Sequence, residues 1–306
     1  MAEFSIIDRY FKSAWHSDDV ILGIGDDSAL ISPPAQQQLV ICADTLVAGR
    51  HFPLETSAHA IGWKSVAVNL SDLAAMGATP HSILLAITLP EINETWLKGF
   101  SQGLFDCCAP YHVQLIGGDT TQGPHLTISV TALGWVPQGK AISRAGAQVG
   151  DYIVVSGQVG DAAFALHHLG HPLQKRLDYP TPRCELGQHL RGLASSMIDI
   201  SDGLAQDLGH ILQASDVGAV LHLEKLPIDA VLTALPQEQQ WQYALAGGDD
   251  YELCFTISPQ NYAELCLKQA SDRFTIIGEI HALPGLEMYY HGMIQNLNLN
   301  GYQHFA

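Results

Sequence analysis

Positive charge is scarce in this sequence. Fourteen lysines and arginines face 31 aspartates and glutamates, leaving a formal net charge of −17. A chain this acidic is unsuited to the phosphate backbone of a nucleic acid or to an anionic membrane surface. Anionic substrates are compatible with it only where divalent cations stand between them and the carboxylates. Charged residues of both signs make up 15% and apolar ones 47%, which excludes a disordered chain and predicts a compact, soluble one. No apolar run approaches the ~20 residues that span a bilayer. The N-terminal MAEFSIIDRYF lacks the basic flank and unbroken apolar core of a signal peptide. Cysteine is sparse as well. Cys42, Cys107, Cys108, Cys184, Cys254 and Cys266 show no CxxC spacing, so they read as reduced core thiols in a reducing compartment, and a cytoplasmic location is expected. Neither a GxxxxGK[ST] loop nor the HRD and DFG motifs occur, which excludes a P-loop NTPase and a protein kinase.

What is there alternates between strand-like and helix-like segments. LVICAD (39–44), ILLAITL (83–89), VQLIGG (113–118) and LTISVTALGWV (126–136) are short, β-branched apolar runs. Between them lie two helical stretches, 57–77 with a serine N-cap and a terminal glycine, and 94–111 ending near Pro110. After a Gly-rich stretch of low apolar content at 137–151, the pattern restarts. Strands are expected at 152–157, 219–223, 251–257 and 274–280, and helices at 161–170 and 202–215. The expected architecture is α/β (α+β) in two lobes, residues 1–137 and 138–306. Two short echoes, NLSDLAAMG (69–77) with DISDGLAQDLG (199–209) and IGGDTT (116–121) with AGGDDY (246–251), hint at related lobes.

The aspartates cluster where strands are expected to end. Asp26 and Asp27 lie between glycines in LGIGDDSALI (22–31), Asp44 closes LVICAD, and Asp119 follows a Gly-Gly pair. Asp72 sits inside an apolar helix with no lysine or arginine at helical spacing, so a metal ion would satisfy it. Asp199 and Asp202 bracket Ser201 just before a helix, where free backbone N–H groups favour a phosphate. Mg²⁺ prefers oxygen ligands shared between carboxylates and nucleotide phosphates. The pattern suggests metal-assisted phosphoryl transfer, although the same aspartates also suit turns and helix caps. The histidine trio of HHLGH (167–171) has no paired cysteine and reads as solvated surface.

LGIGDDSALI, ADTLVAGRHF (43–52), KSVAVNLSDLAAMGATP (64–80), LIGGDTTQGP (115–124), IDISDGLAQDLGHI (198–211) and AGGDDYELCFT (246–256) occur in that order. Together they resemble the thiamine-monophosphate kinase family. Its superfamily includes aminoimidazole ribonucleotide synthetase, selenophosphate synthetase and a hydrogenase-maturation protein. The resemblance implies a fold in which the N-terminal lobe binds ATP and Mg²⁺ and dimerises through its sheet, followed by a C-terminal α/β lobe. It implies ATP-dependent phosphorylation of thiamine monophosphate to thiamine diphosphate by direct in-line transfer, with no residue acting as a covalent nucleophile. Several Mg²⁺ ions are implied, with ATP as co-substrate and K⁺ left open. The partners implied are these two substrates and a second copy of the chain, with no nucleic acid and no membrane.

By position, the resemblance assigns Mg²⁺ ligation to Asp27, Asp44, Asp72, Asp119, Asp199 and Asp202, with Cys42 and Ala43 at two further ligand positions. Cys42 and Ala43 stand where the family usually has Ser or Thr, so backbone carbonyls or waters would have to replace those hydroxyls. ATP contacts fall on Tyr111, Gly118, Asp119, Arg144 and Ser201, with Arg144 offering a bidentate fork. Substrate contacts fall on His51, Asp249 and Tyr302. Asp249 replaces the common Glu, and Gln122 a frequent Arg. Two other readings stay open: a sibling enzyme with another acceptor (selenide, a ribonucleotide amidine or a carbamoyl group), and a non-catalytic divalent-cation-binding protein. Against the first, residues 1–41 contain no cysteine and the tail ends HFA.

Overall fold

The computed structural model describes residues 3–12, 17–268, 274–297, 299 and 301. The chain divides into two compact units, Met1–Leu73 with Ala78–Gly139, and Ala74–Gly77 with Lys140–Ala306.

The first unit opens with α1 (Glu3–Ile6) and a small hairpin of β1 (Val20–Leu22) and β2 (Leu30–Ile31). Then follow β3 (Gln37–Val47), α2 (Ala58–Ala75), β4 (Thr79–Leu89), α3 (Glu94–Cys108), β5 (Gln114–Gln122) and β6 (Thr127–Pro137). The four long strands form one sheet in the order β3-β6-β4-β5. β6 runs antiparallel to both neighbours, and β4 pairs parallel with β5, so α3 is the crossover that a parallel pair requires. Alternation along β6 buries Ile128, Val130, Ala132 and Val136 and leaves Thr131, Leu133 and Trp135 half-exposed. One face of the sheet therefore joins the core and the other stays open. On that open side of the edge strand, Leu39 and Ile41 are exposed.

α2 begins where the hydroxyl of Ser57 accepts the amide of Ala60 at 3.2 Å. It is buried on almost every side: Val66, Ala67, Leu70, Leu73 and Ala74 have no accessible surface, and neither has Asn69. A helix apolar all round belongs in the middle of a domain. Asp72 stays half-buried within it.

The second unit contains β7 (Tyr152–Ser156), α4 (Asp161–His167), α5 (Gln174–Asp178), α6 (Cys184–His189), β8 (Ala194–Asp199), α7 (Leu204–Ser215) and β9 (Gly218–His222). It continues with α8 (Ala230–Thr233), α9 (Gln237–Ala246), β10 (Leu253–Ile257), α10 (Pro259–Lys268), β11 (Phe274–His281), β12 (Gly285–Tyr290) and β13 (Met293–Ile294). Its sheet has the order β13-β12-β9-β11-β7-β10-β8. Only β9 and β12 pair parallel. β10 is buried at every residue, as expected of a strand covered on both faces. Ile153, Val155, Leu208, Ile211, Leu221 and Ile277 build the core between this sheet and the helices.

The structure corrects several local expectations. Asp44 and Asp119 lie inside β3 and β5 rather than at strand ends, because ladder pairing with neighbours carries both strands on through polar residues. The helix expected to 111 ends at Cys108 and closes with a 3-10 turn, Ala109–Tyr111, around Pro110. α4 ends at His167 rather than 170. The internal echoes do not match in structure. NLSDLAAMG is the end of a helix, whereas DISDGLAQDLG runs from β8 through a turn into α7. No helix among the described residues is long and apolar enough to cross a membrane.

Candidate active site

In the first unit a cleft of 980 Å³ is lined by Gly25, Asp26, Asp27, Gly117, Gly118 and Asp119, with Lys12 at its wall. Asp26 and Asp27 sit in the β1–β2 hairpin, both exposed, and the Asp27 amide donates to Asp26 Oδ1 at 2.8 Å. Gly118 has φ +148°, and a Cβ there would fall 1.8 Å from the carbonyl of Leu85, so only glycine lets β5 approach β4 beside Asp119. Two exposed acids on the hairpin and a third on β5 thus share one water-filled space. The neighbouring amide of Gln122 reaches the carbonyl of Pro90 at 3.4 Å.

A second acidic pair forms around Cys42. Register places Cys42 and Asp44 opposite Ala132 and Val130, on the core side of the sheet, where α2 passes. Asn69 of α2 takes the Asp44 amide at 3.1 Å on its side-chain oxygen, and the Cys42 thiol donates to the Asn69 carbonyl at 3.4 Å. Burial, then the carboxylates of Asp72 and Asp44, push the Cys42 thiol well above its ordinary range. Burial is the larger cause, and the two carboxylates add to it. Ala43 points the other way and is exposed, leaving only its backbone to offer an oxygen. His51 lies in the turn after β3, where its Nδ1 accepts the Val47 amide at 2.9 Å. Its carbonyl accepts from Lys64 at 3.2 Å, a lysine that is itself buried. Tyr111 is half-buried at the end of the 3-10 turn.

In the second unit Asp199 ends β8, and Asp202 follows in the turn before α7. The amides of Ser201, Asp202 and Gly203 all donate to one oxygen of Asp207, at 3.0, 3.1 and 3.1 Å. The amides expected to be free for a phosphate are therefore already engaged by a carboxylate from the first turn of α7. Burial, with Asp199 and Asp202 nearby, raises the Asp207 carboxyl to about 7. The Asp202 carboxylate accepts from Gln206 at 3.2 Å. Arg144 is exposed, and its carbonyl accepts from Ser215 at 3.3 Å.

Asp249 occupies a turn laced to the same region: its amide donates to the Ser201 carbonyl at 2.9 Å, and Tyr251 donates its amide to Ile200 at 2.8 Å. Asp249 and Tyr251 both take left-handed backbone, φ +66° and +50°, a conformation that costs about 1–3 kcal/mol unless the surroundings hold it. The Tyr251 hydroxyl donates to Asp249 Oδ1 at 2.9 Å. Tyr302 lies outside the described residues.

Sequence reading missed Asp207, Lys64 and a buried ionic cluster of Arg176, Arg183, Glu252, Asp161 and Asp250. One signal was available. With only 14 cations in the chain, the run QKRLDYPTPR (174–183) concentrates three of them.

The donor set fits a hard cation. Carboxylate oxygens dominate, several are exposed, and those around Cys42 are held in pairs, as Mg²⁺ prefers. Among the described residues no three His, Cys, Asp or Glu side chains are grouped so that they could hold a metal ion by themselves.

Two family models match the chain: AIR synthase related protein, N-terminal domain, over residues 25–136, and its C-terminal domain over residues 148–291. The thiamine-monophosphate kinase of Escherichia coli (strain K12) is 48% identical, covering 99% of this chain and 98% of the relative. The chain belongs to the thiamine-monophosphate kinase family. Among solved structures, the thiamine-monophosphate kinase of Stenotrophomonas maltophilia K279a shares 47% identity at a TM-score of 0.84, covering 90% of this chain and 92% of that one. AaThiL complexed with AMPPCP and TMP shares 29% identity at a TM-score of 0.78, covering 90% and 89%. The two family models between them take in strands of both sheets.

Proposed function

We infer that this chain is a kinase that transfers the γ-phosphoryl group of ATP to the phosphate of thiamine monophosphate, giving thiamine diphosphate. The observation that carries this is near-full-length identity of 48% to a thiamine-monophosphate kinase, joined to a structural relative complexed with AMPPCP and TMP. Direct transfer is the mode that the family resemblance implies, and the chemistry of the chain is consistent with it. The acceptor is already an anionic oxygen, so no strong general base is needed. Burial pushes the thiols of Cys108 and Cys184 up to about 12, and those of Cys42 and Cys254 further still. Protonated thiols are poor nucleophiles, so these four cysteines are unsuited to a covalent role, and the reading assigns catalysis to alignment and charge neutralisation.

The roles we propose are these. Asp27, Asp44, Asp72 and Asp119 in the first unit, and Asp199 and Asp202 in the second, hold Mg²⁺, with the backbone at Cys42 and Ala43 available to waters of its shell. Held there, Mg²⁺ would supply positive charge to offset that of the phosphates. Arg144 forks onto ATP phosphates, Gly118 and Ser201 contribute backbone or hydroxyl contacts, and Tyr111 flanks the nucleotide. His51, Asp249 and Tyr302 orient thiamine monophosphate. A K⁺ ion is an option for phosphate charge that leaves these assignments intact. The open face of the four-stranded sheet, with Leu39, Ile41, Leu133 and Trp135 on it, supports a homodimer through that sheet, and the thiols, all free among the described residues, support a cytoplasmic setting.

ADP release measured with thiamine monophosphate, thiamine and no acceptor tests the reaction. Turnover with thiamine monophosphate alone is expected. Activity with another acceptor but not this one would transfer the chain to a sibling chemistry, and Mg²⁺ binding without turnover would make it a cation-binding protein.

A further inference from the structure

A buried ionic cluster lies directly behind the Asp249 turn. Glu252, three residues on, is 1% exposed, and its carboxylate is fully engaged. Arg183 grips it through two nitrogens, Nε at 2.6 Å from Oε2 and Nη2 on Oε1. Arg176 Nη2 donates to Oε1 at 2.7 Å, and the Ser156 hydroxyl to Oε2 at 2.6 Å. Beside them Asp250 takes the Gly160 amide at 2.8 Å, and Arg176 Nε stands 3.6 Å from Asp161 Oδ2. The second oxygens of Asp161 and Asp250 are buried with no hydrogen-bond partner.

Three carboxylates and two arginines are a costly way to stabilise a core, because their desolvation cancels most of their attraction. Their placement has another use. The segment from Asp249 to Glu252 carries two left-handed non-glycine residues, Asp249 itself and Tyr251, which adjoins Glu252. Such a turn persists only where its surroundings over-determine it. The Asp249 turn is tied by backbone hydrogen bonds to Ser201 and Ile200, and the Ser201–Gly203 turn has a further anchor of its own in Asp207.

We propose that Glu252, clamped by Arg176 and Arg183, is a positioning residue for thiamine monophosphate: it fixes the strained turn that presents Asp249. This rests on the reading of Asp249 as a substrate contact. Loss of the clamp lets Asp249 and Tyr251 relax to ordinary backbone and withdraws the Asp249 carboxylate, while the Asp207-anchored turn stays in place.

The test is steady-state kinetics on the full chain carrying Arg183→Lys, Arg183→Met, Glu252→Gln or Asp249→Asn, with thermal melts of each. Arg183→Met and Glu252→Gln are expected to raise KM for thiamine monophosphate about tenfold and leave KM for ATP within about twofold. Arg183→Lys, which keeps the charge and loses the fork, is expected to fall between Arg183→Met and the parent. Asp249→Asn should raise the same KM. If Asp249→Asn raises it and no Arg183 or Glu252 variant does, the positioning role is wrong and the substrate contact stands. An unchanged KM in Asp249→Asn removes the contact and the proposal with it. Lower melting temperatures with both KM values unchanged would make the cluster purely structural. Should Glu252→Gln or Arg183→Met fail to fold, the half-exposed Arg183→Lys decides by its KM ratio.

Discussion

The acids of the two units are held in opposite ways. In the first unit Asp26, Asp27 and Asp119 line a cleft and stay exposed, each keeping its own hydration. In the second, Asp161, Asp207, Asp250 and Glu252 are buried; Asp207, Asp250 and Glu252 take hydrogen bonds from amides, a hydroxyl and arginines, and Asp161 pairs with Arg176. An exposed carboxylate can exchange water for a cation at little cost, whereas a buried one has spent its solvation and must be satisfied by protein. The first arrangement suits binding, the second suits shaping a loop.

Three experiments would break or sharpen this contrast. The largest effect is expected from Asp119→Asn in the cleft. Turnover should fall on the order of 10²-fold or more, the loss usual for a group that stabilises phosphoryl charge. Stability in urea should stay within about 0.5 kcal/mol, as for other exposed sites. Near-parental turnover at saturating Mg²⁺ would take Asp119 out of the site.

Next comes the pH dependence of stability. Burial raises the Asp161 carboxyl to about 6, against the opposing pull of Arg176, while in the unfolded chain it titrates near ~3.9. Below about pH 4 both states hold the proton; between about 4 and 6 only the folded state does, so stability falls as pH rises through that window and levels off above it. The slope amounts to at most about 3 kcal/mol. Urea titrations from pH 4 to 7 should show a smaller slope in Asp161→Asn than in the parent, the remainder coming from the raised carboxyls of Asp207 and Asp250. An equal slope in both would place the responsible proton elsewhere.

The smallest effect is expected from Gly157→Ala. Gly157 has φ +55°, and a Cβ there would stand 2.2 Å from Glu252 Oε1. The methyl group pushes against the clamped carboxylate, for a loss of about 1–3 kcal/mol, read as a lower urea midpoint at unchanged slope. A neutral substitution would mean that the cluster yields easily, contrary to a rigid anchor.

Much of the fold was legible from local pattern. Ser57 and the apolar run after it announced α2, and β-branched runs announced the cores of β3 to β6. Their ends were less visible: Gln37, Gln38 and Asp44 look like loop residues, and only pairing with β6 makes them strand. The motifs singled out Asp27, Asp44, Asp72, Asp119, Asp199 and Asp202 as candidates, because residue type and order are local information. They gave no warning that Asp207 occupies the Ser201–Gly203 amides, since any aspartate in the first turn of a helix looks like a favourable dipole partner.

By itself the sequence determined the acidic character, the alternation of strands and helices and the order in which the candidate oxygen donors follow one another. Those properties depend on composition and on neighbours a few residues apart. Only the tertiary structure decided which acids stay wet and which are clamped. The partners of Glu252 lie 69 to 96 residues away in the chain, and burial, the quantity that separates a ligand from an anchor, exists only once those distant segments pack together.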